Sequence, residues 1–281
     1  MSKFEEIATR SSGESRIART FAELGRRDRV ALVAYLTAGD PSFEESAELV
    51  LAAARAGADL IELGVPWSDP SADGPVIQRA MGRALAGAGP GVVGRVFEVI
   101  RRVRQQSQVP IVLFGYFNPL LQYGLTRAVT DAAAAGVDAF LVVDLPPEEA
   151  TELDDALDQT DLVRIPLLAP TTSPLRAKLV VARGGGFAYY VGLAGVTGAG
   201  HLDAAEVGRR TAELRPSLRG LPLCVGFGIK EPSQLAALTA HCDGIVVGSA
   251  LVQAVEAAPT PATRIAAVEK LIAALSAATP R

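Results

Sequence analysis

Apolar residues in this chain follow two alternating patterns. Short continuous runs rich in β-branched residues give way to stretches in which apolar positions recur at helical spacing. The runs predict strands over Val30–Thr37, Ala58–Leu63, Pro110–Phe114, Ala139–Val143, Leu162–Leu168, Phe187–Val191, Leu221–Val225 and Gly244–Val247, most of them about 22–35 residues apart. That is the cadence of successive βα units. The runs are continuous, not alternating, as strands buried on both faces are. Eight of them suit a closed (β/α)8 barrel. An open doubly wound sheet is the alternative, and it would lead one to expect a glycine-rich turn after the first strand. Leu36-Thr37-Ala38-Gly39-Asp40-Pro41 carries no dinucleotide fingerprint.

Local punctuation fits the same count. Ser42 followed by Glu45 predicts a capping box, with Ala47, Val50, Leu51 and Ala54 on one helix face and Gly57 as the left-handed stop. The stop recurs in Ala135-Gly136-Val137-Asp138, and Ile265, Val268, Ile272 and Leu275 give the last helix a buried stripe. The one wide gap, between the second and third strands, has room for two helices. Pro and Gly fall at turns throughout and no linker is visible, so residues 1–281 read as a single domain with extra N-terminal and loop helices. Polar residues 1–14 read as a loose arm.

Composition narrows the class. The chain has 281 residues, 49% hydrophobic, enough to bury a large core, and a net charge of −4 with the charges scattered. There is no basic face for nucleic acid and no polybasic membrane patch. No apolar run approaches the roughly 18–20 residues needed to cross a bilayer. The start, Met1-Ser2-Lys3-Phe4-Glu5-Glu6, lacks a signal core. Cys224 and Cys242 lie in or beside apolar strands and read as reduced core thiols, which makes the cytoplasm the expected location.

Chemistry concentrates after the second strand, in Ile61-Glu62-Leu63-Gly64-Val65-Pro66-Trp67-Ser68-Asp69-Pro70-Ser71-Ala72-Asp73-Gly74-Pro75. Glu62 sits near the carboxyl end of a strand, where alternating α/β folds do their chemistry. A second signal is glycine at later strand ends: Ala194-Gly195-Val196-Thr197-Gly198-Ala199-Gly200, Gly226-Phe227-Gly228-Ile229, and Gly248-Ser249-Ala250 opening a helix. Glycines let backbone amides approach an anion, and a helix N-terminus adds its dipole, so a phosphorylated small molecule is the expected ligand. The four lysines, Lys3, Lys178, Lys230 and Lys270, all lie outside the predicted strands, so an imine-forming aldolase lacks its nucleophile. His201 and His241 form no metal-ligand cluster, so no metal site is expected. Carboxylates, tyrosines and amides remain, an inventory for proton transfer.

The segments Tyr35–Pro41, Ile61–Gln78, Tyr116–Pro119, Asp144–Pro146, Ala169–Ser173, Tyr189–Gly198 and Gly226–Ile229 resemble the tryptophan synthase alpha chain family, in the family's order, from about residue 16 to 275. The resemblance implies a TIM barrel that splits indole-3-glycerol phosphate into indole and glyceraldehyde 3-phosphate. It implies no cofactor in this chain. Indole would pass to a beta chain that holds pyridoxal phosphate, in an αββα complex. Residue by residue it makes Glu62 the general acid/base and Asp73 the acid that binds the indole N–H and stabilises the protonated ring. It sets Tyr189 beside the substrate and Thr197 in a mobile lid whose hydroxyl bonds Asp73. Gly198, Gly228, Gly248 and Ser249 match the phosphate cradle. Pro66, Asp69, Asn118 and Pro146 lie in loops that face the beta chain. Phe21, Phe114, Leu113 and Ile229 are expected to wall the indole pocket.

The chain departs from the family pattern at Trp67, where phenylalanine is usual, at Ser71, where leucine is usual, and at Gly192, where serine is common; Leu193 and Ala194 vary the lid entrance. These changes bear on lid closure and partner affinity, not on the proton donors. Three rivals stand beside this reading: another enzyme of the same pathway and fold, a stand-alone lyase releasing free indole, and a degenerate barrel that only activates the beta chain. The first would want a strand-end lysine, and the last has no use for intact acids at 62 and 73.

Overall fold

The computed structural model describes residues 15–192, 204–226, 228–229 and 231–280. Nine parallel strands form one sheet: β1 (Ala31–Thr37), β2 (Leu60–Gly64), β3 (Ile111–Gly115), β4 (Ala139–Val142), β5 (Val163–Arg164), β6 (Leu167–Leu168), β7 (Ala188–Val191), β8 (Leu223–Gly226) and β9 (Gly244–Val247). Their lateral order is β5-β4-β3-β2-β1-β9-β8-β7-β6. The two end strands are consecutive in the chain, separated only by Ile165 and Pro166. The Ile165 amide donates to Phe140 of β4 at 2.8 Å, and the Pro166 carbonyl accepts from Tyr189 of β7 at 2.9 Å. The ring is thereby closed, and β5 and β6 are halves of one barrel strand. The expected continuous strand 162–168 is broken because Pro166 has no N–H to give a ladder.

Parity divides the barrel into an inside and an outside. Ala31, Val33, Leu60, Val112, Ala139, Leu141, Ile165, Phe187, Cys224 and Val246 pack in the interior cluster. Their chain neighbours Leu32, Ala34, Ile61, Leu63, Phe140, Val225 and Val247 pack outward with the helices. Both faces are apolar, which is why the strands read as unbroken hydrophobic runs.

The helices are α1 (Arg16–Arg26), α2 (Phe43–Arg55), α3 (Pro75–Ala88), α4 (Val92–Arg104), α5 (Phe117–Tyr123), α6 (Leu125–Ala135), α7 (Thr151–Leu157), α8 (Pro174–Val180), α9 (Ala204–Leu214), α10 (Pro232–Ala236), α11 (Ser249–Ala257) and α12 (Pro261–Ser276). The wide gap between the second and third strands holds α3 and α4, as expected. Helix α1 plugs the amino-terminal mouth with Ile17 and Leu24, and its Phe21 ring meets Phe187 at 5.9 Å. No described helix is long and apolar enough to cross a membrane.

The predicted stops hold: Gly57 and Gly136 take φ of +110° and +90°. The predicted capping box is only half made. The Ser42 hydroxyl accepts from the Glu45 amide at 3.2 Å, but the Glu45 carboxylate pairs with Arg264 of α12 at 2.9 Å. A tertiary cation outcompetes the local amide, since a hydrogen bond between charged groups is the stronger one.

A device invisible in the hydrophobic pattern fastens the amino-terminal strand ends. Asp59, Asp138 and Asp243, each just ahead of a strand, accept the amides of Leu32, Ile111 and Leu223 at 2.9, 2.8 and 2.9 Å. Asp138 also receives Arg16 of α1 and Arg104 of α4, both at 2.9 Å. It therefore locks the plug, a helix and two strands together. Replacing it (Asp138→Ala) takes the carboxylate from the mostly buried Arg104 guanidinium and leaves the Ile111 amide without its side-chain acceptor. Urea denaturation should show a loss of about 3 kcal/mol, and a loss under about 1 kcal/mol would show that the lock is not structural.

Candidate active site

Inward parity on β2 selects Leu60, Glu62 and Gly64, and on β1 Ala31, Val33 and Tyr35. Tyr35 and Glu62 are register partners on these adjacent strands. Glu62 is 1% exposed, and neither carboxyl oxygen has a hydrogen-bond partner among the described residues. Burial alone pushes its pKa up to about 8, because the ionised form would have to leave water uncompensated. At neutral pH Glu62 is an acid holding its proton.

Two tyrosines flank it, each lying across a glycine of a neighbouring strand. A methyl group on Gly64 would meet the Tyr35 hydroxyl at 2.3 Å, and one on Gly226 would meet that of Tyr189 at 2.3 Å. The missing Cβ is what lets each phenol lie flat over the next strand. Tyr35 also stacks edge-on against Phe114, with centroids 5.2 Å apart. Burial, together with the negative charge of Asp73 and Glu62, raises the pKa of Tyr35. Burial and the same two acids, Glu62 ahead of Asp73, raise that of Tyr189, although solvent still reaches part of its side chain. Glu62, Asp73, Tyr35, Tyr189 and Phe114 thus share the carboxyl-terminal mouth.

Asp73 hangs in the loop between β2 and α3. Its amide donates to the Pro70 carbonyl at 3.0 Å, and its carbonyl accepts from the Gln78 side chain at 2.8 Å. It does not cap α3, whose N-cap is Gly74 with Pro75 at the first helical position and no side-chain cap bond. Its carboxylate instead accepts from the Tyr116 hydroxyl at 2.7 Å. Burial raises its pKa, and the Tyr116 bond works against that rise.

Gly248 and Ser249 open α11, and Gly248 lies against the Tyr35 side chain, where a methyl group would sit 3.3 Å from Tyr35 Cβ. Gly228 is exposed and takes a φ of +64°. The three therefore stand at the ends of β8 and β9, on the side where Tyr35 and Tyr189 reach up. Thr197 and Gly198 lie outside the described residues. Pro66, Asp69, Asn118 and Pro146 fall on the loops and helix start after β2, β3 and β4, one arc of the same rim; Asp69 and Pro146 are exposed, Asn118 partly so, and Pro66 is buried. Trp67, in the same loop, is partly exposed.

The other expected pocket-wall residues fall in different layers of the barrel. Phe21, on the α1 plug, packs from the amino-terminal side against the interior cluster that Phe114 and Tyr189 also border. Leu113 points outward by strand parity, and Ile229 packs in the layer between sheet and helices. Tyr35, not among the expected site residues, stands beside Glu62 on the neighbouring strand. Strand parity makes it the third inward position of β1, two residues before the strand's end, but the unbroken apolar run does not by itself show which face is inward. Tyr116, one residue past β3, was legible only as part of a loop.

The sequence model for the tryptophan synthase alpha chain matches residues 21–279. An alpha chain from Geobacter sp. (strain M21) is 52% identical over 239 residues, covering 85% of this chain and 88% of that one. One from Chromobacterium violaceum is 49% identical over 267 residues, covering 94% and 99%. The crystal structure of the Legionella pneumophila alpha subunit superposes with a TM-score of 0.84 at 38% identity, covering 94% and 98%. The chain belongs to the tryptophan synthase alpha chain family. Membership makes it a lyase of tryptophan biosynthesis on a TIM barrel.

In this alpha chain, burial of Glu62 has a consequence for stability. Its folded pKa lies above its unfolded one, so the native state binds the extra proton between about pH 4.5 and 8, and stability falls as pH rises through that window. Glu62→Gln removes the titration. The advantage of Gln over Glu in urea denaturation should grow by on the order of 4 kcal/mol between pH 5 and pH 9. A pH-independent difference would show that Glu62 ionises normally.

Proposed function

We propose that this alpha chain cleaves indole-3-glycerol phosphate to indole and glyceraldehyde 3-phosphate by a retro-aldol reaction, with Glu62 as general acid/base and Asp73 as electrostatic partner of the indole ring. The observation that carries the reading is the pair itself: one carboxyl buried, without a hydrogen-bond partner among the described residues and protonated at neutral pH, the other anchored in the same mouth by a phenol.

The steps balance on these two groups. Glu62 delivers its proton to indole carbon 3, giving a cationic ring. The carboxylate so formed takes the proton of the adjacent side-chain hydroxyl. The carbon–carbon bond breaks, its electron pair returns to the ring as neutral indole, and the hydroxyl carbon becomes the aldehyde. Asp73 accepts the indole N–H and faces the positive charge, stabilisation that strengthens as charge develops. A carboxyl with a pKa near 8 suits both directions of transfer. Tyr35, Tyr189 and Phe114 supply the apolar walls. Backbone amides around Gly228, Gly248 and Ser249, with Gly198, take the phosphate.

No step calls on a cofactor in this chain. In the complete enzyme, indole passes to a beta chain bearing pyridoxal phosphate, within an αββα assembly. Among the similar structures are those of Mycobacterium tuberculosis tryptophan synthase, matched at 30% identity and a TM-score of 0.83. The arc of Pro66, Asp69, Asn118 and Pro146 is the docking rim, and Trp67 stands on it. The remaining parts of the reading are a single-domain chain, working in the cytoplasm, with Thr197 on the lid.

Indole release from indole-3-glycerol phosphate, followed with and without added beta chain, tests the reading. Release should be slow alone and rise steeply on pairing; full activity alone would favour the stand-alone lyase. Glu62→Gln and Asp73→Asn should each lower turnover by about 100-fold or more while substrate still binds, and retained turnover in either removes its assigned role. The wild-type rate should be bell-shaped in pH, falling on the acid side as Asp73 protonates and on the alkaline side near pH 8 as Glu62 loses its proton.

A further inference from the structure

Tyr116 is buried, one residue beyond β3, and its phenol makes two directed hydrogen bonds to the catalytic loop. The Ala72 amide lies 2.9 Å from the hydroxyl oxygen, and Asp73 Oδ2 lies 2.7 Å from it. An amide N–H can only donate, so the phenol oxygen accepts from Ala72 and its own hydrogen goes to the carboxylate. No rotation of the hydroxyl satisfies both partners another way. Oδ2 is thereby occupied, and among the described residues no hydrogen bond reaches Oδ1.

We infer that Tyr116 is a positioning residue for the reaction proposed above, on which this inference rests: it clamps Asp73 by one oxygen and turns the other toward the substrate. The titratable groups around Asp73 offer its ionised form no positive charge. Glu62 faces the mouth from β2, Tyr35 from β1 and Tyr189 from β7, while Asp144, after β4, acts on Tyr116. None of these is a cation. Among the described groups, the Tyr116 hydroxyl is the one that favours the ionised carboxylate against burial. Asp73 has to be an anion when the ring becomes cationic, so losing the phenol proton has two effects. The carboxylate gains rotational freedom, and it protonates at higher pH.

Tyr116→Phe keeps the buried ring and removes only the hydroxyl. With wild-type beta chain present, kcat for indole release should fall about tenfold or more, KM should change by less than about threefold, and the acid limb of the pH profile should move up by about one unit. In an Asp73→Asn background the same change should alter the residual rate by less than about twofold, because the group that Tyr116 acts through is gone. A second readout needs no turnover: carboxyl NMR of the 13C-aspartate-labelled chain, with Asp73→Asn identifying the signal, should show the Asp73 midpoint rising in Tyr116→Phe. An unmoved midpoint and acid limb overturn the inference, as does an equal loss of rate in the Asp73→Asn background, which would mark a packing role. Wild-type chain that releases no indole even with beta chain overturns the underlying reading, whereas normal wild-type turnover with an unmoved acid limb overturns the Tyr116 role alone.

Discussion

A carboxyl group sealed from water with no hydrogen-bond partner persists only as the neutral acid, and that constraint on Glu62 organises the rest of the site. An ionised Glu62 would cost several kcal/mol in so dry a place, so the fold retains a proton where substrate chemistry can use it. The condition is easily lost. A lysine or arginine at any neighbouring inward position would pair with Glu62 and depress its pKa. The neighbours supplied instead are Tyr35, Tyr189, Phe114 and Val112, which add apolar bulk and hydroxyls but no cation. Burial raises the pKa of Asp73 as well, but here a hydrogen bond works against it. Its loop leaves it partly open to solvent and hands it a phenol proton, which favours the anion. Two carboxyls in one mouth thus differ in that one has a proton donor favouring its anion and the other has none among the described residues, and a proton-shuttling site needs such a difference.

The scaffold holds these surroundings in place by constraints distant from the chemistry. Strand parity sends Tyr35 and Glu62 to the same side, and the glycines at 64 and 226 give the phenols room to lie down. Helices α3 and α11, which follow the Asp73 loop and the Gly248-Ser249 turn, are riveted to each other and to the loop after β1. Arg83 holds Asp40 through both oxygens at 2.8 and 2.9 Å and reaches Glu256 at 2.6 Å, while Arg79 grips Glu256 at 2.8 and 2.9 Å. Asp40 is nearly fully buried, which lends this network more weight than an exposed pair would carry. The helices that follow the acid-bearing loop and the phosphate-side turn are therefore tied to each other.

Much of this was legible before any coordinates. Eight apolar runs at regular spacing imply a parallel barrel because strands covered on both faces have no polar side to show. Glu62 and Asp73 were legible because the block from Ile61 to Pro75 is specific. The strand at Leu162–Leu168 was mis-drawn only where Pro166 removes a ladder donor. Tyr35 was missed for a deeper reason. In a strand buried on both sides, hydrophobic pattern carries no parity, so nothing distinguished Tyr35 facing inward from Leu36 facing outward.

Local sequence, then, determined which segments are strands and helices, where glycine ends them, and which residue types stand at the carboxyl ends. Those follow from periodicity, propensity and backbone geometry, which act over a few residues at a time. Only the closed barrel decided that Glu62 would be dry and unpaired, that Asp73 would take its proton donor from Tyr116, and that Glu45 would answer Arg264 instead of its own helix cap. Desolvation and long-range hydrogen bonds depend on which distant segments meet, and the order of residues along the chain does not record that.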